Sequence, residues 1–106
     1  MQPDELKQQA QLAYDREVAK RNIQQQMQSR LTVQCQQGVF VVSPEIINFL
    51  SNWEEEELVL LDSYENPIKI NRQELLYKAK QRYREIMNEW QLAYEEYTKV
   101  RSAKHV

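Results

Sequence analysis

The chain has one cysteine, one histidine and one glycine in 106 residues. A single Cys excludes an internal disulfide framework and fits a reducing compartment. Cys35 and His105, far apart in the chain, cannot make a zinc site. One Gly leaves no Gly-rich phosphate loop and few positions built for positive φ. No apolar run approaches the roughly 18 residues of a membrane span. The first 30 residues are Gln-rich and charged, so no signal peptide is expected there. A net charge of −2 supplies no global field for nucleic acid or an anionic membrane.

Catalytic chemistry is equally sparse. Cys35 shares a strand face with Leu31 and Val33 and reads as a buried, inert thiol, with no neighbouring His to activate it. His105 reads as a frayed surface residue. The run Glu54 to Glu57 lacks the alternate-position carboxylates and loop Gly of a calcium loop. Acid pairs such as Asp62 and Glu65 have nothing nearby to raise a carboxyl pKa. The expectation is therefore no enzyme, no metal, no cofactor and no membrane, in a cytoplasmic protein.

What is present is a long helix over residues 72–103. Leu76, Ala79, Tyr83, Ile86, Trp90, Ala93, Tyr97 and Val100 follow one another at alternating steps of 3 and 4. That is a coiled-coil-like heptad seam. Met87 and Tyr94 widen it, which suits packing in a bundle or on a sheet better than a two-stranded coil. Such a helix is about 48 Å long, whereas a compact chain of this size has a radius of gyration of about 13 Å. Something must cover it: the N-terminal helix, a second copy or another protein. The aromatics read first as core; the rival reading makes the distal part, Trp90 to Val100, a docking surface, with Tyr83, Met87, Trp90, Tyr94, Tyr97 and Val100 as the candidate interaction residues.

Upstream, Pro3-Asp4-Glu5 is a helix start with acids in the first turn. The helix is expected to run to about Ser29 with a weak apolar pattern. It is loosely held, or its small Ala residues receive the aromatics of the C-terminal helix. Residues 31–43 alternate and then become β-branched around Gln36-Gln37-Gly38, a hairpin with its Gly in the loop. Ser43-Pro44-Glu45 caps a short amphipathic helix to about Trp53. Leu58 to Leu61 reads as a buried strand, and Ser63 to Pro67 as a turn before the alternating strand Ile68-Lys69-Ile70. Asn71 with Glu74 resembles a capping box opening the long helix, and Lys99, Arg101 and Lys104 suit its C-terminal dipole. The fold class is α+β in the order α-β-β-α-β-β-α, with two hairpins sharing one small antiparallel sheet between long terminal helices. All of it lies in one domain, with a helix over 1–30, hairpin-helix-hairpin over 31–71 and the long helix after it.

Charge comes in blocks. Lys78, Lys80, Arg82 and Arg84 make the segment 72–84 basic and a candidate nucleic-acid contact. The helix splits them: Lys78 and Arg82 share one face, Lys80 and Arg84 another.

The stretch Leu60 to Lys69, followed by Tyr83, Met87-Asn88-Glu89-Trp90 and Tyr94-Glu95-Glu96-Tyr97, resembles small proteins of T4-like tailed bacteriophages, including those of marine cyanobacteria. The resemblance covers residues 57–104. It implies an accessory or structural role in infected host cytoplasm or the virion, in partnership with itself or with a phage or host protein. Hairpins set between two long helices are also similar to prefoldin-like chaperones, although the helix after Ser43 departs from that pattern.

Overall fold

The computed structural model describes residues 3–103, with side chains through Lys99. His105, Lys104 and the side chains of Val100 and Arg101 lie outside the described residues. The elements are α1 (Pro3–Ser29), β1 (Thr32–Cys35), β2 (Gly38–Val41), α2 (Pro44–Asn52), β3 (Glu57–Leu61), β4 (Pro67–Asn71) and α3 (Arg72–Ala103). The α+β class and the element order match the expectation. The long helix α3 is unbroken through Ile86 to Trp90. The radius of gyration of 19.8 Å and extents of 65 × 24 × 20 Å reflect two long helices lying side by side.

The hairpins close two separate two-stranded sheets, β1-β2 and β3-β4, rather than one shared sheet. They meet through a loop: Ser63 N–H donates to the Val39 carbonyl at 2.8 Å, a single backbone bond with no ladder. The first turn is two residues long, since Cys35 pairs with Gly38. Gln36 and Gln37 take φ of 46° and 71°, the left-handed pair that a primed hairpin turn requires. Gly38 is thus not the turn residue. It opens β2 with no positive φ, and the need there is space. A Cβ would lie 2.8 Å from Phe40 Cε2 and 3.0 Å from Ile68 Cγ1.

Gln36 ties this turn to the start of α3. Its Oε1 accepts from Asn71 N–H at 3.1 Å, and its Nε2 donates to the Glu74 carboxylate. Half of the expected capping box forms, with Glu74 N–H donating to Asn71 Oδ1 at 3.0 Å. Glu74 does not complete the box, because its carboxylate serves Gln36 and Lys78 instead. At α2, Ser43 Oγ accepts from Ile46 N–H at 3.2 Å, as its position before Pro44 predicts. Buried Asp62 accepts from Tyr64 and Asn66 N–H and so shapes the β3–β4 loop.

Two core clusters result. Cys35, Phe40, Leu50, Leu58, Ile70 and Leu75 join both hairpins, α2 and the first turn of α3. Met27, Leu31, Val42, Ala79 and Ile86 join α1, the base of the first hairpin and α3. The β3 run is not buried throughout: Leu58 faces the core, while Val59 and Leu61 are 62% and 64% exposed. A two-stranded sheet with one covered face must alternate in this way.

Candidate interaction surface

The heptad seam of α3 is covered by the chain's own α1. Ile23 and Met27 pack with Tyr83, Ile86, Trp90 and Ala93. Farther out, Tyr97 Oη donates to the Arg16 carbonyl at 3.4 Å. Arg30 pairs with Glu89 across the base of this antiparallel hairpin. That hydrogen bond holds the Glu89 carboxyl below its ordinary range. Tyr83, Trp90 and Tyr97 are consequently half-buried within one chain, whereas Met87 and Tyr94 remain exposed. Val100 lies among the side chains not described.

The aromatics do not pack on the small residues of α1. Ala10, Ala13 and Ala19 are all exposed, and the contacts fall on Ile23 and Met27. From Pro3 to Asp15 every residue of α1 is exposed, including Leu6, Leu12 and Tyr14. Arg16 is half-buried, and its Nε is buried with no hydrogen-bond partner among the described residues.

The four basic residues divide as helix geometry requires. Lys78 Nζ donates to the Gln34 carbonyl at 3.1 Å and pairs with Glu74. Arg82 Nε donates to the Arg30 carbonyl at 2.9 Å and pairs with Glu85. Lys78 therefore ties α3 to the turn end of the first hairpin, and Arg82 ties it to the segment that enters β1. Lys80 and Arg84 are exposed and make no ion pair among the described residues. They border a groove of about 580 Å³ between α2 and α3, whose apolar floor is Ile47, Tyr83 and Met87. A separate, smaller cavity of about 60 Å³ lies toward the tip, where Lys20, Ile23 and Tyr94 line the cleft between α1 and α3.

No acid lines either hollow. At about 100° per residue, Glu85, Glu89 and Glu96 project from the opposite flank of α3 to Lys80, Met87 and Tyr94. Glu95 falls about 20° from Arg84 on the same wheel, so the flank is apolar and positive at the groove and carries an acid farther toward the tip. Sequence reasoning missed the α2 wall, because Ile47 and Asn48 meet Lys80 and Met87 only through tertiary packing.

A second exposed apolar surface was also missed. Phe49 and Trp53 stack with ring centroids 5.2 Å apart. With Val59, Glu55 and Glu57 they line a hollow of about 430 Å³. On α2 it is Leu50 that takes the buried position, which leaves Phe49 and Trp53 exposed.

Cys35 is 1% exposed and donates to Gln36 Oε1 at 3.0 Å. Burial pushes its thiol pKa up, which disfavours the nucleophilic thiolate. Among the described residues no three His, Cys, Asp or Glu side chains are grouped to hold a metal ion. No described helix is long and apolar enough to cross a membrane. No family model, curated protein or solved structure matches the chain.

Proposed function

We propose that this chain is a non-enzymatic assembly protein that docks another protein chain along the uncovered flank of its helical hairpin. One observation carries the reading. The seam of α3 is closed by α1, yet Met87 at 37% exposure stays open beside Lys80 and Arg84, which make no ion pair among the described residues, and Tyr94 at 53% stays open two turns farther out. Contiguous apolar surface rimmed by charge is the composition of a protein-binding patch. An accessory or structural role of the kind found among small tailed-phage proteins agrees with it. A chaperone-like role would use the same exposed helical tip.

The alternative of a nucleic-acid accessory protein draws on segment 72–84, but Lys78 and Arg82 are committed to backbone carbonyls of the fold. Only Lys80 and Arg84 then remain for phosphate. Binding through two cations would fall weakly with salt, with a slope of about −1.8 in log–log form on duplex DNA.

Analytical sedimentation at micromolar concentration, together with affinity capture from the native host, tests the main reading. A strict monomer that captures no protein refutes it. Retardation of DNA at low salt, abolished by Lys80→Ala with Arg84→Ala, would favour the alternative.

A further inference from the structure

We infer that the occupant of the α2–α3 groove is the N-terminal end of α1 from a second copy, in a two-fold dimer with each copy filling the other's groove. This rests on the assembly reading above and names its partner.

The first support is an exposed stretch of helix. Pro3 to Asp15 is helical, yet none of these residues is buried. Helices in folded proteins draw most of their stability from tertiary packing of one face, and over this stretch no face of α1 is covered. The second support is charge. The segment opens with Asp4 and Glu5, while the groove rim carries Lys80 and Arg84 and no acid. Glu5 would meet the cations, whereas at about 100° per residue Asp4 projects from the side of α1 opposite Leu6 and Ala13 and stays on the helix's own N-terminal dipole.

Register supplies the third support. Arg16 lies level with Tyr97, and Ile23 packs beside Trp90, so Tyr94 lies about level with residue 19 of α1. From that level Glu5 is about 14 residues outward along α1, and Lys80 about 14 residues inward along α3, roughly 21 Å each way at 1.5 Å per residue. A two-fold axis at the level of Tyr94 therefore brings Glu5 of one copy to Lys80 of the other, and Ala13 to the level of Met87 and Asn88. Leu6, Ala13 and Lys20 are spaced by seven and share one flank of α1, and Lys20 lines the cleft beside Tyr94. The docking flank is thus continuous from Leu6 to Tyr94. A two-fold arrangement uses the same patch on both copies and closes, so no filament follows.

The test uses the full chain. Carboxylate-to-amine zero-length cross-linking should join Glu5 to Lys80. Within one copy those residues lie about 40 Å apart along α1, so any such link is between copies. In sedimentation the wild type should dimerise at micromolar concentration. Asp4→Lys with Glu5→Lys, or Lys80→Glu with Arg84→Glu, should each raise the dissociation constant tenfold or more. The combined four-fold variant should recover most of the wild-type affinity. A wild type that stays monomeric overturns the dimer; if it still captures another protein, the assembly reading survives alone. A dimer indifferent to both charge sets, or lacking the Lys80 cross-link, also overturns it.

Discussion

Trp90→Ala separates a residue that holds one chain together from one that holds two chains together. In the structure Trp90 is half-buried among Ile23, Ala93 and Ile86, where α1 crosses α3. Truncating a fully buried Phe or Trp costs about 3–5 kcal/mol. Half-burial scales this to about 2 kcal/mol. The loss falls on a weak joint, because only Met27 of α1 is fully buried. The remaining ties are Ile23, the Tyr97–Arg16 bond and the Arg30–Glu89 pair. The expected result is local: α1 undocks before the body unfolds. At 1.4 kcal/mol per tenfold, its opening equilibrium rises about thirtyfold. Hydrogen exchange should therefore quicken about thirtyfold over residues 12–26, while β1–β4 and the first half of α3 keep their protection. If α1 exchange is unchanged while self-association is lost, Trp90 is an intermolecular anchor and the intrachain packing assigned to it is wrong.

Gly38→Ala places a methyl group 2.8 Å from Phe40 Cε2 and 3.0 Å from Ile68 Cγ1. Overpacking of that kind should destabilise by about 1–3 kcal/mol in urea unfolding. Gln37→Gly relieves a φ of 71°. It should stabilise by about 0.5 kcal/mol, the left-handed penalty less the entropy cost of Gly. For Glu89, the hydrogen bond from Arg30 lowers the folded carboxyl pKa below its unfolded value. Its contribution is present above the ordinary glutamate range and is lost as pH falls through the depressed folded value. Thermal melts should therefore drop on acidification below about pH 4.3. Glu89→Gln should flatten that part of the profile, as should high salt, because the pair is exposed.

Much of the fold was legible because its signals are local. Ser43 before Pro44 names the start of α2, and the 3-4 spacing names the covered stripe of α3 from Ala79 to Tyr97, although in the first turns Leu75 rather than Leu76 is the fully buried residue. Asn71 caps α3 as its type suggests, but the box stays half-formed because Gln36 competes for Glu74. Gly38 was misread for a physical reason. Gln36 and Gln37 accept the left-handed turn, which leaves the Gly to answer a steric demand from Phe40 and Ile68. Spacing also divided the basic residues correctly into two faces. It could not say that the Lys78–Arg82 face would be used on backbone carbonyls while Lys80 and Arg84 stayed open.

Sequence alone determined the element order, the caps and the continuous ridge of α3, since each depends on residues within one or two turns of one another. Tertiary structure decided what covers that ridge. Ile23 and Met27, about sixty residues upstream, close the seam of α3 from within the chain. The same packing leaves the groove under α2 open and the first half of α1 exposed. Local pattern marks a side chain as apolar, but only the meeting of distant segments settles whether its own chain or another one buries it.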